Sequence, residues 1–309
     1  MNSSLESQQA FNSSKSIREV PVFNFVTFLV ITIVVLPIGI TGNLLVILVV
    51  KKKRYLKTTT NLLFANLAAS DLLANFLGYT FAAARTFPMP AMIFGQVLCR
   101  INSYYSAASF CSILTLIVIA VERYNAIVKP LSQRFKFKRR AARYFIVAIW
   151  IVSIAAITPL VYFDEYNSEY RCVRTWSSTQ RLYFWSAAVI IAIGIPLVAL
   201  SYCYFHIIRT LYFGRKICPM NIPIEVDARE KKKVIKLSIV VTSVFIVSFI
   251  PFAVVRVLEI RRGSVPDTVD VFSLILVMLS SILNPFIYAF QSTNYRRAFK
   301  EAVTCRLRT

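Results

Sequence analysis

Seven stretches of this chain are each long and apolar enough to cross a lipid bilayer, at about residues 22–50, 59–84, 101–121, 144–163, 182–208, 234–258 and 271–291. A spanning helix needs roughly 20 apolar residues, and uninterrupted runs of that length read as helices. Together they take up over half of the 309 residues, which leaves connectors too short for a second folded domain. The expected fold is therefore all-α: an integral membrane bundle of seven spans over residues 24–291, with a tail at 1–23 and a closing segment at 292–309. A 57% hydrophobic composition and a mean hydropathy of +0.62 argue against a water-soluble globule. The first stretch does not read as a cleaved signal peptide, because it is too long and its basic run follows it.

An odd number of spans puts the two ends on opposite sides of the membrane, and charge says which is which. The formal charge of +22 would suit a nucleic-acid binder if it were gathered on one surface. Instead, 26 of the 36 Lys and Arg residues fall in the four segments that share a side when residue 1 is outside. They include Lys51–Arg54, Lys138–Arg140, Lys231–Lys233 and Arg296–Arg297. Basic residues collect on the cytoplasmic face and are drawn to anionic headgroups there, so membrane lipid is the expected partner and nucleic acid is not. The sequons Asn2-Ser3-Ser4 and Asn12-Ser13-Ser14 agree, since glycosylation at Asn2 and Asn12 requires the outer side. Among six cysteines, only Cys99 and Cys172 fall on the oxidising side. A disulfide between them would tie the second outer loop over the mouth of the bundle; the alternative is two free thiols.

Asp71 stands about halfway along span two, and no Lys or Arg lies at matching depth in any span. A mid-bilayer charge costs about 2.5–3.5 kcal/mol on insertion scales and needs a partner or a task. Asn43, Ser112, Ser280, Ser281 and Asn284 are polar residues of other spans that could share its cavity. Such hard oxygen donors suit a sodium ion, or else a cluster of water that helps the helices pack. Pro37, Pro159, Pro196, Pro251 and Pro285 each interrupt a span, and the kinked helices they produce can pivot.

These residues fall into a familiar order. Gly42-Asn43 in span one, Asn66-Leu67-Ala68-Ala69-Ser70-Asp71 in span two and Glu122-Arg123-Tyr124 closing span three resemble the rhodopsin-like (class A) G-protein-coupled receptors. Trp150, Pro196 with Tyr204, Phe245 with Phe249-Ile250-Pro251, and Asn284-Pro285-Phe286-Ile287-Tyr288 continue the pattern through spans four to seven. The character is closest to peptide and neuropeptide receptors. The resemblance implies that Arg123 engages a heterotrimeric G protein when span six swings outward. Glu122 would hold Arg123 at rest, and Tyr204 and Tyr288 would turn inward to stabilise the active state. It also implies arrestin and a receptor kinase as further partners. Asn294–Val303 reads as a short amphipathic eighth helix on the inner leaflet, with Phe299 and Val303 towards lipid. Cys305 after it is a candidate for palmitoylation, or a bare cysteine.

Several positions depart from the family pattern. Phe249 stands where a Trp is common, Phe94 where the first outer loop usually has Trp, and Ser280 where the cation site usually has Asn. Lys231 replaces a carboxylate that in many members pairs with Arg123, so that tie is expected to be missing and basal activity raised. The interval from Cys99 to Arg123 is one residue shorter than usual, which unsettles the register of outer span three.

Ligand classes are narrowed by what the spans lack. Residues 268–291 contain no lysine, so no retinal Schiff base can form and no other cofactor is expected. Residues 100–121 contain no carboxylate to meet an amine, and about 23 residues ahead of the first span are too few for a hormone-binding ectodomain. A small peptide, a purine-like molecule or a lipid mediator remains. The mouth offers Arg85, Tyr104, Tyr105, Arg256 and Glu259, charges of both signs around aromatic rings, which favours a peptide. Arg256 is read as a partner for a ligand carboxylate or carbonyl, or as a snorkelling arginine. The expected function is a plasma-membrane receptor and not an enzyme: a single histidine, His206, allows no metal triad or Ser–His pair. The rival from another class is a transporter that uses Asp71 in a proton path, disfavoured by the lack of repeat symmetry.

Overall fold

The computed structural model describes residues 32–33, 36–86, 91–129, 138–167, 171–175, 177–213, 222–262 and 265–304. Helices are the expected outcome for apolar segments in hydrocarbon, where each backbone N–H and C=O must be satisfied inside the segment. In chain order they are α1 (Leu36–Lys52), α2 (Thr59–Thr86), α3 (Met92–Asn102), α4 (Tyr104–Val128), α5 (Arg139–Phe163), α6 (Ser178–Val189), α7 (Ile195–Phe213), α8 (Ile222–Arg262), α9 (Asp267–Gln291) and α10 (Thr293–Val303). Six described segments are long and apolar enough to span a membrane: Thr59–Thr80, Met92–Val128, Arg139–Phe163, Leu182–Thr210, Ile235–Leu258 and Thr268–Gln291. Each coincides with an expected stretch. The first expected span is represented by the 17 residues of α1, and most of its leading half lies outside the described residues, as do Asn2, Asn12 and Cys305.

Helix α4 is the axis of the bundle. Its buried residues run from Ala107 to Glu122, and it packs against α2, α5 and α7. The main apolar core gathers Val46, Leu63, Phe64, Leu67, Leu116, Ile119, Phe245 and Tyr288 from five helices. The outward faces carry the opposite of a soluble surface: Val198 is 71% exposed and Phe290 77%. An apolar belt of this kind belongs against hydrocarbon. Without a hydrophobic drive between helices, close approach depends on small residues. A Cβ on Gly39 would lie 2.6 Å from Ile282, so α1 rests directly on α9.

Three features differ from the sequence reading. Span three begins earlier than residue 101, as α3 followed at Ser103 by a tightened turn in which the Ser106 N–H donates to the Ser103 carbonyl at 3.1 Å. A 3₁₀ turn uses 3.0 residues where an α turn uses 3.6, so the register of α3 differs from that of a continuous α-helix leading into α4. Second, α8 continues inward to Ile222, through the segment expected to be a connector; Glu225, Ala228, Glu230 and the lysines after it are good helix formers. Third, the second outer loop holds a β-hairpin, β1 (Asp164–Asn167) antiparallel to β2 (Arg171–Arg174), with Tyr166 opposite Cys172. Pro37 stands in the first turn of α1, where a missing N–H breaks no helical bond. Pro159, Pro251 and Pro285 lie inside helices, and Pro196 follows a π-helical turn, Ile190–Gly194, closed by the Ile195 N–H on the Ile190 carbonyl.

Candidate functional site

A column of buried polar side chains runs through this apolar bundle. At mid-depth Asp71 is 1% exposed. Ser112 donates to its Oδ1 at 2.8 Å and Asn284 donates from Nδ2 to its Oδ2 at 2.6 Å. Ser281 stands in the same turn of α9, and Ser70 and Ser112 share a hydroxyl bond of 2.8 Å. Helices α2, α4 and α9 therefore meet on one carboxylate. Asn43 joins from α1 by donating to the Ser281 carbonyl at 3.2 Å, while its Oδ1 is buried with no partner among the described residues. Ser280 belongs to the same turn, but its hydroxyl donates to the Val277 carbonyl instead. A second tie crosses above the inner switch: Asn66 accepts from Trp150 Nε1 at 3.0 Å and donates to Thr115 at 2.8 Å.

At the inner end of α4, Arg123 is held by its neighbour. Its Nε donates to Glu122 Oε2 at 2.5 Å and its Nη2 to Oε1 at 2.8 Å, with side chains only 13% and 10% exposed. Thr60 of α2 completes the group, accepting from Arg123 Nη2 and donating to Glu122. Thr60 has no signal in the sequence, since a threonine at the start of a span is ordinary. Tyr124 points away from this group and rests against Tyr202 and His206 of α7, with ring centroids 5.8 and 6.0 Å apart. Tyr204 is buried, its hydroxyl 2.9 Å from Thr242 and 3.3 Å from the Ser238 carbonyl of α8. Tyr288 is fully buried against Phe64 and Tyr295, so it lies towards α2 and α10 and not towards Arg123. Phe245 and Phe249 stack at 4.0 Å and, with Ile113, Leu116 and Pro196, line an apolar cavity between α4, α7 and α8. Pro251 follows in the next turn of α8.

The outer end is closed by the hairpin. Gln96 of α3 accepts from the Tyr166 N–H at 2.8 Å and donates to the Asp164 carbonyl at 3.2 Å. The Asp164 carboxylate takes the hydroxyl of Ser103. Cys99, fully buried, is disulfide-bonded, and its helix packs against β2. Of the expected ligand contacts, Tyr105 approaches Gly78 and Tyr104 packs with Ala107, Leu160 and Phe184, so the two tyrosines face different helices. The side chains of Arg85 and Glu259, like those of Cys172 and Lys231, lie outside the described residues. Arg256 does not snorkel. It is buried, with its guanidinium 5.1 Å from the Trp185 ring and 5.0 Å from that of Phe252, and it pairs with Asp270 at the start of α9. Neither Asp270 nor the two rings stood out in the sequence.

Helix α10 docks beneath the bundle. The Tyr295 hydroxyl donates to Asn61 at 3.2 Å, and Lys53 pairs with Glu301 at 2.7 Å. Burial raises the Tyr295 phenol well above its ordinary range. Val303 is exposed, and Phe299 packs on Tyr295.

Comparison with known proteins agrees with this geometry. Residues 42–288 match the family model described as "7 transmembrane receptor (rhodopsin family)". The somatostatin receptor type 5 of Rattus norvegicus is 29% identical over 288 residues, covering 90% of this chain and 77% of that protein. Its type 4 relative is 31% identical over 284 residues, covering 87% and 70%. A QRFP-like peptide receptor of Branchiostoma floridae is 26% identical over 297 residues, covering 90% and 78%. In fold, the chain superposes on squid rhodopsin with a TM-score of 0.77 at 22% identity, covering 95% of this chain and 89% of that one. These matches set the transporter and enzyme readings aside: the chain is a multi-pass membrane protein that belongs to the rhodopsin family of seven-transmembrane receptors.

Proposed function

We propose that this receptor sits in the plasma membrane with residue 1 outside and couples an extracellular peptide to a heterotrimeric G protein. The observation that carries the reading is Arg123, a charge at the inner end of the central helix, held only by Glu122 and Thr60 among the described residues. A charge-assisted pair of this kind is strong yet exchangeable, so a cytoplasmic partner can take the guanidinium once α8 moves. Peptide is favoured as the ligand because the matched relatives are named as somatostatin, QRFP-like and neuropeptide Y receptors, and because the mouth mixes rings with charges of both signs. A ligand acts by its differential affinity for two packings of the helices. A purine or lipid ligand is the alternative, and a peptide library screened on cells with a second-messenger readout distinguishes them. Replacing Arg123 by Ala is expected to abolish agonist-driven nucleotide exchange at normal surface expression; unchanged exchange would refute the assigned role.

Further readings follow the same logic. The Asp71 carboxylate and the hydroxyls of Ser112 and Ser281 are hard oxygen donors of the type a sodium ion takes, and the orphaned Asn43 Oδ1 marks an unfilled polar demand beside them. Ser280 is turned to its own backbone and Asn284 presents its amide N–H, so neither joins the proposed donor set. A bound sodium ion would supply positive charge that favours the resting packing. Cys172 is the proposed partner of Cys99, supported by the packing of α3 on β2. Glycans at Asn2 and Asn12, a palmitoyl group on Cys305, and arrestin and receptor kinase as cytoplasmic partners complete the proposal.

A further inference from the structure

The outer halves of α6, α8 and α9 converge on one guanidinium. Arg256 lies within cation–π range of Trp185 from α6 and of Phe252 from its own helix, and its edge is bonded to Asp270 of α9. The two charges are unequally accessible: the Arg256 side chain is 10% exposed and that of Asp270 is 32% exposed. Asp270 uses Oδ1 for Arg256, and its Oδ2 has no hydrogen-bond partner among the described residues. An anion arriving from the mouth meets the Asp270 carboxylate ahead of a guanidinium that is only 10% exposed and bonded to it through Nη2, with its Nε buried and not hydrogen-bonded among the described residues. A cation meets an open carboxylate oxygen and need displace nothing. Of the other carboxylates near the mouth, Asp164 is buried at the start of β1 against Ser103, Glu165 is exposed beside it, and the side chains of Glu259 and Asp267 lie outside the described residues. Helix α4 offers none before Glu122.

We propose that Asp270 is the anchor for a basic group of the ligand, a guanidinium or ammonium, with Arg256 as the positioning residue that holds the carboxylate in place. This inverts the sequence expectation that Arg256 itself meets a ligand carboxylate. The inference deepens the peptide-receptor reading and rests on its outer binding site: a peptide would enter with a basic side chain or its amino terminus towards α9. Placing Asp270 in the first turns of α9 also favours its negative charge, because helix amino termini stabilise anions.

The test needs no knowledge of the natural ligand. Benzamidine, an aromatic amidinium, is titrated against the purified full chain in nanodiscs, with benzamide and benzoate as neutral and anionic counterparts and the thermal midpoint as readout. Benzamidine is expected to raise the midpoint and the other two to leave it unchanged. The apparent affinity should fall about tenfold or more in D270N, as expected for loss of a charge-assisted hydrogen bond, and persist in D270E. The exchanged pair R256D/D270R keeps an ion pair between α8 and α9, so it separates a folding defect from loss of the anchor: it should fold and not respond to benzamidine. No midpoint change in the native chain, an equal response in D270N, or a stronger response to benzoate overturns the proposal. Failure there leaves the peptide screen of the native receptor unaffected, so the two readings fail separately.

Discussion

Thr60 and Glu122 are 62 positions apart in sequence, yet the threonine hydroxyl lies 3.2 Å from the glutamate carboxylate at the inner end of the bundle. The same hydroxyl accepts from Arg123. One small side chain from α2 therefore closes a three-residue group that keeps the Arg123 guanidinium turned back on its own helix. Where the family resemblance leads one to expect a carboxylate on α8 the sequence has Lys231, and among the described residues Glu122 and Thr60 are what hold Arg123.

Replacing Thr60 with Val keeps the shape and removes the hydroxyl. A hydrogen bond to a charged group is worth about 1.5–3 kcal/mol, and part of that holds the resting arrangement. Ligand-free nucleotide exchange should rise about fivefold to tenfold in T60V and stay near the native level in T60S. Equal exchange in native and T60V membranes would show that Glu122 alone holds Arg123.

The Asp71 cluster makes a separate prediction. If sodium is held by Asp71, Ser112 and Ser281, raising sodium at constant ionic strength should depress ligand-free exchange. Asp71→Asn should abolish that dependence while preserving bonds to Ser112 and Asn284, since an amide can accept and donate at the same positions. A flat sodium response in the native receptor, or the same slope in the variant, would leave the cluster as a packing network only.

The parts of this molecule that were legible beforehand are those where a residue type is costly out of place. Asp71 in an apolar stretch, Glu122-Arg123 at a helix end and proline within spans each announce themselves, because burying charge or losing a backbone donor has a cost that something must offset. Cys99 stands out by compartment, on the oxidising side of the membrane. What escaped are residues that are ordinary by type and become functional only by meeting. Thr60, Trp185 and Asp270 meet partners on other helices, Gln96 meets the hairpin and Phe252 lies one turn from Arg256, pairings that hydropathy does not encode. The turn at Ser103 has no signal in residue type, since a serine between apolar runs is ordinary. The inward extension of α8 is hidden from hydropathy because a charged, lysine-rich segment reads as a loop, although its residues favour helix.

The hairpin over the mouth depends on a missing side chain. A Cβ at Gly95 would lie 2.6 Å from the Tyr166 ring, beside the Gln96 bonds that hold the hairpin down. Gly95→Ala should therefore lift the ring, with an overpacking cost of about 1–3 kcal/mol, read as a lower thermal midpoint and faster hydrogen exchange at 164–167. Tyr166→Ala removes the clash, so Gly95→Ala should cost less in that background than in the native chain. Strict additivity would mean that the two residues do not act on each other.

Docking of α10 should respond to acid in a defined direction. The Lys53 ammonium, at 2.7 Å, and then Arg297 hold the Glu301 carboxyl below the usual glutamate range. A carboxyl whose value is lower when docked than when free contributes its full stabilisation above the free value, about 4.3, and loses it as pH falls through the docked one. At cytosolic pH the contact is therefore complete, and mild acidification should leave it intact. Protection factors for residues 293–303, corrected for intrinsic exchange, should be level from neutral to about pH 5 and fall only below the ordinary glutamate range. Glu301→Gln should show the acid-level protection already at neutral pH, with Tyr295 still donating to Asn61 so that the helix remains formed. Protection that falls between neutral and pH 5 would assign the docking to another group, and an unaltered Glu301→Gln would show that Tyr295 and the apolar face hold α10 without the ion pair.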